Sequence, residues 1–201
     1  MNELTLLQAV RLKGRVRQAD LAATVDEQVD TVAAAVEGLA AAGLLVNGTT
    51  VRLTPDGRAR LTELLADERR GIDGQAFARA YDEFRDVNRE FKALVVDWQL
   101  RNGEPNDHSD AEYDAGVLRG LDAVHHSVVS ILAEATRQIP RLAAYAAKLS
   151  AAQQKIRAGD TTWFTRPIVD SYHTVWFELH EELIGAAGLT REDEAKTGHA
   201  E

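Results

Sequence analysis

Two carboxylate–histidine pairs stand out in the sequence, Asp122-x-x-His125 and Asp170-x-x-His173. A carboxylate and an imidazole three residues apart share one side of a helix. Two such pairs on facing helices supply half of a di-iron carboxylate site. The other half requires an inward carboxylate from each of two further helices. The segment 74–101 offers Glu83, Asp86, Glu90 and Asp97, all off its apolar seam, but 139–156 contains no Asp or Glu. The ligand set cannot be completed, so no metal is expected.

Two other groupings fall short of chemistry. His180-Glu181 begins like a zincin motif, which needs a second His four residues after the first; that position is Ile184. His173 and His180 are two helical turns apart, about 10 Å, too far to share one metal. Asp107-His108-Ser109-Asp110 holds the residue types of a catalytic triad. Adjacent positions cannot converge in the way a triad requires, and Ser109 reads better as a helix cap. With no cysteine in the chain, thiol nucleophiles, thiolate metal sites and disulfides are excluded. The expectation is a non-enzymatic protein without a cofactor.

His125 falls inside an apolar helical stripe with Leu118, Leu121 and Leu132. Most such histidines are core residues satisfied by one hydrogen bond, and a minority line a pocket or sense pH. If the helical half of the chain binds a small molecule, the candidate lining is Trp98, His125, Tyr172, His173 and Trp176. The small side chains Ala143, Ala146 and Ala147 would leave room beside them. Asn88 and Gln153 also lie on apolar seams, where a polar residue fixes register at a cost in stability.

Four helical segments must position these residues. The first, 74–101, carries Phe77, Tyr81, Phe84, Asn88, Phe91, Val95 and Trp98 at alternating steps of four and three, a coiled-coil-like seam. After the loop NGEPNDHS, Ser109-x-x-Glu112 reads as a capping box opening the second. That segment would bury Val117, Leu121, Val124, Val128 and Leu132. Pro140 starts the third, with Leu142, Ala146, Leu149, Gln153 and Ile156 on its seam. Thr165 and Pro167 open the fourth, whose buried face is Ile168, Tyr172, Val175, Trp176, Leu179 and Leu183. This set predicts a domain resembling a four-helix bundle over 74–190, with a charged, disordered tail at 191–201.

Residues 1–70 read differently. Asn2 caps a helix to Lys13, a short helix covers Ala19–Ala23, and a break follows at Val25-Asp26. A longer helix, beginning Asp26-Glu27-Gln28, then carries Val29, Val32, Val36 and Leu39 and ends at Gly43. Leu44–Val46 and Thr50–Leu53 read as strands joined by Asn47-Gly48, a tight-hairpin signal, and Thr54-Pro55 opens a helix to Arg70. On Leu21, Val25, Val29, Leu39, Gly43, Leu44 and the run Leu53-Thr54-Pro55-Asp56-Gly57, residues 3–70 resemble the MarR-like winged helix-turn-helix regulators. The stretches PNDHSDAEYD and DSYHTVWFELHEEL resemble segments that follow winged helices in actinobacterial proteins without assigned activity. The fold class expected is therefore mostly α, a winged helix-turn-helix domain followed by the helical bundle.

The resemblance implies a bacterial transcriptional regulator that binds duplex DNA as a homodimer. In that geometry the second helix of the motif enters the major groove. Gln28 and Thr31 would read bases there, and Arg15, Arg17, Arg52 and Arg58 would grip the backbone from the flanks. Charge argues against it. The chain carries −9 overall, residues 1–70 hold nine Lys/Arg against ten Asp/Glu, and no cation lies between Arg17 and Arg52. Duplex affinity comes largely from neutralised phosphates, so the alternative is a winged helix used for protein–protein contact. The chain shows no run of apolar residues long enough for a membrane and no signal peptide, giving a cytoplasmic expectation and no membrane partner.

Overall fold

The structure, a computed structural model, describes residues 1–167, 169–190 and 194. Ile168, placed above on a buried face, and the charged tail from 191 onward apart from Glu194 lie outside the described residues. The chain is mostly helical, with eight α-helices and two two-stranded antiparallel sheets among the described residues. It divides into two compact units, Met1–Gly71 and Ile72–Glu201. No described helix is long and apolar enough to cross a membrane.

The first unit contains α1 (Glu3–Lys13), α2 (Gln18–Val25), α3 (Val29–Ala41), the strands β1 (Leu45–Asn47) and β2 (Val51–Leu53), and α4 (Pro55–Arg70). Asn2 caps α1 by accepting from the Leu4 N–H at 3.0 Å. Val16 forms an isolated bridge to Val51, so the hairpin gains one residue of a third strand. Thr54 closes the hairpin onto α4: its Oγ1 donates to the Gly43 carbonyl at 2.7 Å and accepts from the Gly57 N–H at 2.9 Å. The core is entirely aliphatic, with Leu6, Leu7, Val10, Leu21, Val32, Val36 and Val51 each at most 1% exposed. This unit contains no Phe, Tyr or Trp.

Three local expectations change here. The Asn47-Gly48 pair is not a two-residue turn, because Asn47 pairs with Val51 in the ladder and the loop is residues 48–50. Asn47 is held in the strand by Gln18, whose Nε2 donates to its Oδ1 at 2.9 Å. Asp26 and Glu27 do not begin α3. Asp26 ends α2 in the left-handed region (φ 54°), a conformation Asp tolerates, and Gln28 precedes the first residue of α3. Val29, expected on the buried stripe, is 49% exposed, leaving Val32 and Val36 as the buried residues of α3.

The second unit contains α5 (Gly74–Gln99), β3 (Leu100–Arg101), β4 (Glu104–Pro105), α6 (Ala111–Gln138), α7 (Ala143–Arg157) and α8 (Tyr172–Ala186). Helix α5 lies along α6, α6 along α7, and α7 along α8. Helix α8 meets α5 through rings: Trp176 stacks on Phe91 at 4.2 Å between centroids and on Phe84 at 5.2 Å. Six of the seven seam residues of α5, Phe77, Tyr81, Phe84, Asn88, Phe91 and Trp98, are buried, and Val95 is half-buried. Asn102 and Gly103, within what the sequence suggested was a plain loop, form the turn of the β3–β4 hairpin. Both have positive φ, 53° and 85°, as the tight hairpin turn demands.

Three helix starts also move; Pro140–Leu142 form a 3-10 turn, and α7 begins at Ala143 rather than at Pro140. Asp110, not Ser109, caps α6, its Oδ1 accepting from the N–H groups of Glu112 and Tyr113 at 3.1 and 3.0 Å. Ser109 instead donates to Asp107 at 2.7 Å. Helix α8 begins at Tyr172 rather than near Pro167, and Ser171 caps it by accepting from the Thr174 N–H. Residues 161–163 form a separate 3-10 turn. Asp170 therefore lies before α8, so the second carboxylate–histidine pair does not share a helix face.

Candidate functional site

In the first unit, α3 projects most of its surface. Gln28, Asp30, Thr31, Glu37 and Gly38 are exposed, and no cation stands on this face. Asp30 alone occupies the first helical turn, where an acid interacts favourably with the dipole. Gln28 and Thr31, the candidate base readers, sit together at the start of this projecting face.

The candidate phosphate contacts separate into two groups. Arg17 is engaged by Asp20 at 2.7 Å, an exposed pair whose hydrogen bond raises the guanidinium pKa. Arg60 is likewise engaged, by Glu3 at 3.1 Å and Glu63 at 3.3 Å. Among the described residues no acid is paired with Arg15, Arg52 or Arg58. With Arg11 they line one concavity of about 330 Å³, floored by Val10, Gly14 and Leu53. Arg11, absent from the sequence-based set, reaches it from the end of α1, oriented by a 3.0 Å hydrogen bond from its Nε to Gln8. A periodic reading of α1 gives its position on the helix but not its neighbours across 40 residues of chain.

In the second unit the five candidate ligand residues fall into three places. His173 and Trp176 line a cleft of about 210 Å³ between α5 and α8, together with Phe91, Lys92, Val95 and Phe177 among others. Phe177 and Val96, on its rim, are 42% and 52% exposed. Beneath it, the Trp176 Nε1–H donates to Asn88 Oδ1 at 2.8 Å, both side chains being buried. Asn88 is thus the acceptor for a buried indole, and not only a polar interruption of the seam.

His125 and Tyr172 lie outside that cleft and against each other. His125 Nδ1 is 3.1 Å from the Tyr172 hydroxyl, and its Nε2 is 3.4 Å from Ser150 Oγ. Burial pushes the imidazole below its ordinary range, and nearby Arg157 adds to this against the opposing pull of Asp122. Burial likewise pushes the Tyr172 phenol well up, keeping it protonated. Asp122, like His125, reaches α7, accepting from Gln153 at 2.8 Å and from Arg157 at 2.9 Å. Gln153, expected as a seam residue, is satisfied there.

Trp98 stands apart, under the loop before α6, with the His108 ring 4.4 Å away and Phe164 at 5.4 Å. His108 Nδ1 pairs with Asp114 at 2.9 Å, while Ser109 bonds Asp107, so the Asp-His-Ser-Asp run builds a cap and a turn. A buried ion pair closes the α7–α8 side, Arg141 with Glu182 at 2.5 Å, and Tyr145 donates to the same carboxylate at 3.3 Å. Among the described residues no group of three His, Asp or Glu side chains stands close enough to hold a metal ion. Comparison of the chain with protein-family models, curated proteins and solved structures returned no match.

Proposed function

We propose that this chain is a bacterial, cytoplasmic regulator of MarR-like type, binding duplex DNA through a winged helix in its first unit. The second unit, a four-helix-bundle-like domain, would dimerise the protein and offer the α5–α8 cleft to an effector. The observation that carries this reading is the build of the first unit. Four helices and a hairpin with its added Val16 strand share one aliphatic core, in which α3 fully buries only Val32 and Val36. Ala35, Leu39 and Ala40 pack against it half-buried, and the opposite side of α3 projects, as a helix entering a groove must, with Gln28 and Thr31 at its leading end.

A second reading draws on the charge of that same face. Asp26, Glu27, Asp30 and Glu37 are all exposed on or beside α3, which suits a basic protein partner better than phosphates. The two readings part in one experiment: enrichment of duplexes from a random-sequence pool by the full chain, followed by anisotropy across a salt series. A regulator enriches sites with two-fold symmetry and binds them with steep salt dependence. An unenriched pool and no duplex binding at low salt would leave protein contact as the role of α3.

A further inference from the structure

We propose that the concavity formed by the end of α1, β2 and the start of α4 is a phosphate-binding pocket, held by Arg11, Arg15, Arg52 and Arg58. The inference does not depend on the DNA-binding reading. Arg11 of α1, Arg15 just after it, Arg52 of β2 and Arg58 of α4 line one hollow, and no described Asp or Glu lines it. This occurs in a chain of net charge −9. Elsewhere in the unit Arg17, Arg60 and Arg70 are paired with neighbouring carboxylates.

Ordinary helix design accounts for part of the cluster only. Arg11 lies in the last turn of α1, where a cation interacts favourably with the dipole. Arg58 lies at the opposite kind of place, near the N-terminus of α4, where a cation is disfavoured. Arg52 projects from β2 between the buried Val51 and Leu53, so alternation aims it away from the aliphatic core. Like charges gathered in one hollow repel, and a bound anion removes that repulsion. Planar guanidinium forks match phosphate oxygens two at a time, which favours phosphate over a monovalent halide. At Gly14, φ is 72° and the space a Cβ would occupy is open, so the floor of the pocket stays clear of side chain.

The phosphate group recognised belongs either to a free phosphorylated ligand or to a nucleic-acid backbone. The test uses the full chain, with pyrophosphate as the probe, in isothermal titration and calorimetric melting at matched ionic strength. The wild type is expected to bind pyrophosphate and to melt higher with it, and Arg17→Gln, outside the pocket, to behave the same. Arg52→Gln with Arg58→Gln is expected to weaken pyrophosphate about tenfold or more. Without anion this double variant should melt no lower than wild type, because two clustered charges are gone. Arg52→Lys with Arg58→Lys, which keeps charge but not the forks, should fall between the two.

A random-sequence duplex separates the sources. If duplex competes with pyrophosphate and the double variant loses about two units of the duplex salt slope, the phosphate is that of a backbone. If pyrophosphate binds and duplex does not compete, the pocket serves a free phosphorylated ligand. Absence of pyrophosphate binding by wild type, or binding unchanged in the folded double variant, overturns the proposal whatever the duplex does.

Discussion

Trp176 donates its indole N–H to Asn88 Oδ1 across 2.8 Å, joining α8 to α5 inside the second unit. The α5 seam alone suggests that an apolar residue at 88 stabilises, since it removes a buried polar group. The bond reverses that sign. Asn88→Leu strands a buried donor and should cost about 1–3 kcal/mol. Trp176→Phe removes the donor, so Asn88→Leu added to it should cost less than in wild type. Urea unfolding of the four chains forms the cycle, and a stabilised Asn88→Leu chain would show that the bond contributes nothing net.

His125 sets a pH dependence. Its pKa is depressed in the folded state, so between that value and the ordinary imidazole value near 6.5 the unfolded chain binds more protons. The stability it contributes is complete above about pH 6.5 and is lost as pH falls through that value towards the folded pKa. His125→Gln should flatten this part of the profile. Urea midpoints between pH 5 and 8 would show it, and identical slopes for the two chains would refute the assignment.

Gly57 and Gly38 should respond oppositely to the same change. A Cβ at Gly57 would stand 2.0 Å from the Leu44 carbonyl oxygen, which belongs to backbone and cannot step aside. Gly57→Ala should therefore destabilise the first unit although alanine favours helix. Nothing lies within 4 Å of a Cβ at Gly38 in α3. Gly38→Ala should stabilise by about 0.5–1 kcal/mol through backbone entropy alone. Calorimetric melting of both variants decides it.

The acidic face of α3 gives a prediction about DNA. Glu27→Lys with Asp30→Lys should strengthen binding to random-sequence duplex and steepen its salt dependence if α3 faces phosphates. Asp26 is left in place because its φ of 54° suits Asp better than Lys. Unchanged anisotropy at low salt would mean that α3 points elsewhere.

Much of the helical layout was legible because burial repeats with the helix: the seam of α5 and the stripe of α6 carry the right residues from spacing alone. Turn chemistry was less so. The chain has an Asn-Gly pair at 47–48 and another at 102–103, and only the second forms the tight hairpin turn. Asn47 is drawn into the ladder by Val51 and by Gln18, 29 residues away, contacts a local reading cannot supply. The arginine pocket was illegible for the same reason. Arg15, Arg52 and Arg58 could be named singly, but their meeting with Arg11 depends on how β2 lies against the end of α1.

The purely aliphatic core of the first unit has an optical consequence. All three tryptophans and all four tyrosines belong to the second unit, so near-ultraviolet absorbance and intrinsic emission of the whole protein originate there. A denaturation curve followed by emission describes that unit alone, whereas far-ultraviolet circular dichroism adds the helices of both. If the units lose structure at different denaturant concentrations, the two curves will separate without any label or truncation. A single tryptophan placed at exposed Val46 would then give the silent unit its own signal.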